Sequence, residues 1–261
     1  MSEAVTVVTG ASGGIGEELA YCAAKAGRKV VLVARSADKL AAVAAKIEAA
    51  GGKQAVAIAA DLSDRQAGVV LAAALKERDF KVAELVNNAG YGLTGRVEKL
   101  DAADQLGIVD LNCRTLTDLT LRFLPEIIAA KGGVLNVAST AAFQPGPNMA
   151  VYYASKAYVL SFSEAIWFEL RGRARVTALC PGPVPTGFAA RATKGETIGL
   201  MKLSMTDAAF VAETGWSGFE RGKRVVIPGL LNKFAAFGTR LSPKSLLMGI
   251  AARLSRAERQ P

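Results

Sequence analysis

The sequence predicts an α/β fold: a doubly wound parallel sheet of about seven strands in a single domain with a C-terminal helical extension. Three observations predict it. Short Val/Ile/Leu/Ala-rich runs alternate with helical patterns along the chain, the signature of strand–helix–strand units sharing one sheet. The runs are apolar nearly throughout, as strands covered on both faces must be. A glycine-rich stretch, TGASGGIG, follows the first run at Thr9–Gly16.

The elements follow in order. Residues 4–10 (AVTVVTG) are the first strand, Gly14 to Ala26 the first helix and 29–34 (KVVLVA) the second strand. Ser36 stands where it can cap a helix reaching Ala50, and 54–61 (QAVAIAAD) is a third strand. Ser63 and Gln66 have capping-box spacing for the next helix. Residues 84–90, 133–139, 175–182 and 223–229 complete the strands, with helical segments between most of them. No repeat, low-complexity tract or linker divides the chain. Residues 1–229 read as one domain and 230–261 as a basic amphipathic extension.

Composition excludes several chemistries. The chain has no histidine, so Ser-His-Asp and Cys-His mechanisms are impossible and no metal site is expected. Three scattered cysteines, Cys22, Cys113 and Cys180, lack metal-ligand spacing and read as reduced thiols of a cytoplasmic protein. The N-terminus lacks the pattern of a secretory signal, and no apolar run is long enough to cross a bilayer. The net charge of +9 is uneven: from Arg221 onward there are nine Lys/Arg and one acid, Glu258.

The glycine turn lies between a strand and a helix. Gly10, Gly14 and Gly16, with Ser12 and Ile15 between them, permit a tight turn and close approach of a pyrophosphate to backbone N–H groups at the helix N-terminus. The spacing, G-x-x-x-G-x-G, differs from the G-x-G-x-x-G fingerprint. Arg35 follows the second strand, where an acid would bind the ribose 2′-hydroxyl of NAD; a guanidinium there favours the 2′-phosphate of NADP. Lys39 is placed to assist.

Tyr152 and Lys156 stand four apart at the start of a helical stretch, on one face. A nearby ammonium lowers a phenol's pKa, so the pair can act as general acid or base toward a carbonyl or alcohol. Ser139 ends a strand thirteen residues before the tyrosine. NNAG (Asn87–Gly90) and PGPVPTG (Pro181–Gly187) end two others, at the sheet edge where α/β folds bind ligands.

TGASGGIG, NNAG, Ser139, YYASK and PGPVPTG, in this order and spacing from about Val5 to Gly229, resemble the short-chain dehydrogenase/reductase family. The resemblance implies an oxidoreductase interconverting a carbonyl and an alcohol, and Arg35 makes NADP(H) the expected cofactor. It implies Tyr152 as general acid/base, Ser139 bonding the substrate oxygen, Lys156 holding the nicotinamide ribose and lowering the tyrosine pKa, and Asn112 supporting a proton-relay water. By the same resemblance Asp61 and Leu62 contact adenine. Asn88, Ala89 and Gly90 wall the cofactor, with Pro181 and Gly182 beside it, and Val184 and Thr186 meet the carboxamide. Tyr153 is expected only to pack or to line the pocket. A homodimer or homotetramer, through the helices after residues 101 and 151, is also implied.

The pocket expected from Leu93, Phe143, Met149 and Phe188, with Leu200 and Met201 nearby, suits a hydrophobic substrate, while Arg96 and Arg191 could meet an anionic group. Residues 230–257 read as two amphipathic helical pieces broken at Ser242-Pro243, able to touch an anionic membrane weakly, cover a neighbouring subunit or fold onto the pocket. No nucleic acid is expected to bind. Alternatives to a reductase are an NAD-dependent alcohol dehydrogenase and a nucleotide-binding redox sensor without turnover.

Overall fold

The computed structural model describes residues 2–185, 206–241 and 248–249. Seven parallel strands form one sheet in the order β3-β2-β1-β4-β5-β6-β7. They are β1 (Glu3–Thr9), β2 (Lys29–Ala34), β3 (Val56–Ala59), β4 (Phe80–Asn87), β5 (Gly133–Val137), β6 (Arg175–Leu179) and β7 (Val225–Val226). The chain runs outward from β1 to β3, then returns to place β4 on the other side of β1. That reversal opens a crevice at the carboxyl ends of β1 and β4.

The helices cover both faces: α1 (Gly14–Lys25), α2 (Ala37–Ala49), α3 (Ala67–Glu77), α4 (Ala102–Val109), α5 (Leu116–Ala129), α6 (Ala150–Glu169), α7 (Ala208–Glu220) and α8 (Leu230–Leu241). Alternate strand residues point to opposite faces. Val8, Val30 and Leu32 meet Leu19, Leu40, Ile47 and Phe219 on one side. Val5, Val7, Val31 and Val33 meet Leu71, Leu75, Phe123 and Ile127 on the other. Double coverage explains why the central strands read as unbroken apolar runs.

Four expectations need correction. β3 spans only Val56–Ala59, and as an edge strand it is exposed at alternate residues. β7 is two residues long. β4 begins at Phe80, four residues before the expected strand, and the buried Glu84 carboxylate within it is held by donors from neighbouring strands. It accepts from Thr6 Oγ1 at 2.8 Å, Arg175 at 2.7 Å and Arg28 Nε at 3.2 Å. Ser63 builds no capping box: its hydroxyl donates to Asp61 at 2.7 Å, Asp64 accepts from the Gln66 N–H, and α3 starts at Ala67. Ser36 does precede α2, although its side chain makes no cap bond.

Candidate active site

The glycine turn and the NNAG segment are built as one piece. Asn88 Nδ2 donates to the carbonyl oxygens of Thr9 and Gly10 at 2.9 and 3.2 Å. Thr9 Oγ1 accepts the N–H groups of Asn88 and Ala89 and donates to Val86 O. Gly10 has φ +65°. A Cβ on Gly16 would fall 2.3 Å from Gly10 O and 2.4 Å from Asn88 Nδ2. Gly10 and Gly16 are therefore required by the close approach of α1 to this turn. At Gly13, the residue before α1, a Cβ would meet nothing within 4 Å, and no side chain caps the helix. That open, uncapped helix start suits a phosphate. Ser12 is half-buried beside it, and Ile15 packs into the core.

Arg35 is exposed at the end of β2. Asp61, at the end of β3, holds Ser63 through its carboxylate. Leu62 and Val184 are core side chains, 5% and 8% exposed. Gly182 lies so close to Asn232 that a Cβ would fall 2.4 Å from Asn232 Oδ1. Pro181 O accepts the Thr140 N–H, tying this segment to the turn after Ser139. The open phosphate cradle, the exposed arginine and these small residues fit a dinucleotide.

Ser139, Tyr152 and Lys156 come together at the ends of β5 and α6, all buried. Ser139 is hydrogen-bonded to the Tyr152 hydroxyl, and its Oγ also accepts from Ala141 N at 3.1 Å. Lys156 Nζ donates to Val137 O at 2.8 Å and lies 5.9 Å from the Tyr152 ring centre. Burial pushes the phenol up to about 12; the Ser139 bond opposes this, and Tyr153 adds to it. Burial also brings the ammonium down to about 8. In the cofactor-free site, removal from water sets the direction for the phenol, and the Lys156 ammonium is held by a backbone carbonyl. Cys113 and Cys180 near the lysine are no counter-ions, since burial raises both thiols.

Asn112 sits in a π-helical turn, Asp110–Thr115, between α4 and α5. Such turns widen a helix locally and re-aim its side chains. Its amide accepts from Tyr91 N and donates to Tyr91 O and Ser155 Oγ, all within 3.1 Å. It fastens the loop after β4 to α6. Gly90 permits this, since a Cβ there would lie 2.8 Å from Asn112 Oδ1 and 3.6 Å from Lys156 Nζ.

Beside Tyr152 is a small pocket lined by Leu93, Val97, Leu100, Ile108, Met149 and Val151, with Gly95 and Gln105 at its edges. Leu93 and Met149 were expected there. Phe143 is partly buried against the core cluster of Ala138, Val159 and Ala178 and is not among the residues lining this pocket. Val97, Leu100 and Ile108 escaped sequence reading because they lie on a loop and helix whose approach is set by tertiary folding. Arg96 pairs with Glu98 at 2.6 Å. Tyr153 packs edge-on against Tyr152, 6.1 Å between ring centres, over Gly146. Thr186, Phe188, Arg191, Leu200 and Met201 lie outside the described residues.

Comparison with known proteins decides the family. Residues 4–197 match the family model described as short chain dehydrogenase. This chain belongs to the short chain dehydrogenase family. Its members are oxidoreductases, and the match covers every strand from β1 to β6. Serine 3-dehydrogenase from Agrobacterium fabrum is 35% identical over 191 residues, covering 72% of this chain and 75% of the relative. A short-chain dehydrogenase from Sphingobium yanoikuyae, solved with NADPH, is 30% identical with TM-score 0.80, covering 94% of this chain and 95% of that one. One from Burkholderia phymatum, solved with NAD, is 25% identical with TM-score 0.79, covering 100% and 98%. Nicotinamide cofactors thus recur among the short chain dehydrogenases that this chain resembles.

Proposed function

We propose that this short chain dehydrogenase is an NADPH-dependent reductase of a hydrophobic ketone or acyl carbonyl. The observation that carries the reading is a Tyr152 phenol held protonated by burial, hydrogen-bonded to Ser139 and opening on an apolar pocket. A group that keeps its proton at neutral pH is poised as a general acid, the role that carbonyl reduction needs.

The turn from Gly10 to Gly16 with Ser12 and Ile15, the Asn88–Gly90 segment, Asp61, Leu62 and Pro181 to Val184 would hold the dinucleotide, with Arg35 meeting the 2′-phosphate. When bound, the reduced nicotinamide supplies the hydride that goes to the carbonyl carbon. Ser139 orients the carbonyl oxygen. The Tyr152 O–H bond breaks as its proton passes to that oxygen, and the resulting phenolate is stabilised by the Lys156 ammonium and Ser139. Asn112 positions the helix that carries both residues. The pocket of Leu93, Leu100, Ile108 and Met149 excludes water from the reacting carbon's apolar substituent.

Exposed Leu106 and Val109 on α4 and Tyr158 and Phe168 on α6 support a homo-oligomer through those helices. A second reading, alcohol oxidation with NAD, draws on the NAD bound in the Burkholderia phymatum structure. Coenzyme consumption by purified protein against ketones, aldehydes and acyl carbonyls of increasing chain length separates the two. NADPH turnover that rises with chain length supports the reductase. Turnover confined to NAD and alcohols overturns it.

A further inference from the structure

The C-terminal helix α8 is turned inside out. Asn232 faces the protein: it is 8% exposed and donates to Pro228 O at 2.9 Å and Thr206 Oγ1 at 3.5 Å. Ala236, four residues on, is also buried. On the opposite side Leu230, Phe234 and Phe237 recur at i, i+4 and i+7, with Leu231 beside them, and all four are 61–72% exposed. An amphipathic surface helix ordinarily turns such a stripe toward the core. Four large apolar side chains in a row on water mark a surface that something covers.

Charge selects what covers it. α8 contains no acid, and Lys233 is exposed along the flank of the stripe. Residues 230–261 carry six Lys/Arg and a single acid, Glu258. A second copy placed two-fold on this face would bring two equally basic segments together, which like-charge repulsion opposes. An anionic bilayer offers both an apolar layer for the stripe and negative headgroups for its flank.

We propose that α8 docks this protein on an anionic lipid surface, with Leu230, Leu231, Phe234 and Phe237 entering the headgroup–acyl boundary and Lys233 meeting lipid anions. The contact is interfacial: among the described residues no helix is long and apolar enough to cross a membrane. α8 packs against the turn that follows Ser139, so docking sets that edge of the site toward the bilayer. The inference is independent of the reaction proposed above.

Co-sedimentation of the full chain with vesicles tests it, using phosphatidylcholine alone and phosphatidylcholine with phosphatidylserine. The protein pellets with the anionic vesicles, stays in solution with the neutral ones, and is released as salt screens the charges. A Phe234→Ser/Phe237→Ser double variant, altered only at exposed positions, stays in solution with both while keeping its melting temperature. Three results overturn the proposal: no pelleting of the wild type at low salt, a double variant that pellets like the wild type, or a drop in oligomeric mass of the double variant by light scattering. The last would assign the face to a second copy of the chain.

Discussion

Lys156 Nζ donates to the carbonyl oxygen of Val137 at 2.8 Å, which pins the buried ammonium of α6 to the last residue of β5. The lysine is thereby held near the phenol of Tyr152 at a cost in stability. Burial lowers its pKa from 10.5 to about 8. Between those values the unfolded chain binds more protons than the folded one, so this group makes stability rise with pH across that window. Below pH 8 the full cost is present.

Lys156→Met at pH 7 removes that cost and loses one hydrogen bond. The expected result is an unchanged fold, no turnover, and a gain of about 1–2 kcal/mol in the cofactor-free protein, the burial cost less the lost bond. The gain should shrink as pH rises from 8 toward 10. Thermal melts at several pH values check this, and a lower melting temperature at pH 7 contradicts it.

Asn88 braces the glycine turn, and in the proposed cofactor site it acts on the nucleotide through that turn. Asn88→Ala leaves the carbonyls of Thr9 and Gly10 without their side-chain donor, a loss of about 1–3 kcal/mol. The expected kinetic effect is a KM for the coenzyme raised about tenfold or more, with a smaller change in kcat. Reduced stability with an unaltered coenzyme KM would make Asn88 a packing residue only.

The proposed preference for NADPH rests on Arg35, exposed at the end of β2. A charge-assisted bond to the 2′-phosphate is worth about 1.5–3 kcal/mol. Arg35→Ser should therefore lower kcat/KM for NADPH by ~10–100-fold and leave NADH nearly unaffected. Equal losses with both coenzymes would show that the guanidinium does not read the phosphate.

Far from the site, Glu84 joins β4 to Thr6 of β1, Arg28 before β2 and Arg175 of β6. Glu84→Gln leaves two arginines facing a neutral amide. Both retain about a third of their side-chain exposure, so water softens the loss to about 2–3 kcal/mol. Urea denaturation measures it, with coenzyme KM expected to stay constant.

These residues also show what the sequence could and could not reveal. Double coverage of β1, β2 and β5 wrote the sheet into the sequence as apolar runs, and the motif order carried the family. The first half of β4, residues 80–83, carries Lys81 and is only partly buried, so no unbroken apolar run announced it. Ser63 lost its capping role to Asp61 and Asp64, whose carboxylates are stronger local acceptors. The glycines of the first turn read as space for a pyrophosphate; Gly10 and Gly16 are also demanded by Asn88, a contact between residues far apart in the chain. Side-chain direction was likewise invisible: Leu62 and Val184 turn out to lie in the core.

The most direct test compares Tyr152→Phe with Tyr153→Phe in a single assay of NADPH-dependent carbonyl reduction. Tyr152 is the residue hydrogen-bonded to Ser139, while Tyr153 packs against it over Gly146. Loss of the proton donor should lower kcat by ~10²–10⁴-fold in Tyr152→Phe, with coenzyme binding intact, and Tyr153→Phe should keep most of the wild-type rate. Wild-type turnover that survives in Tyr152→Phe and disappears in Tyr153→Phe would contradict the account and move the proton donor to the neighbouring phenol.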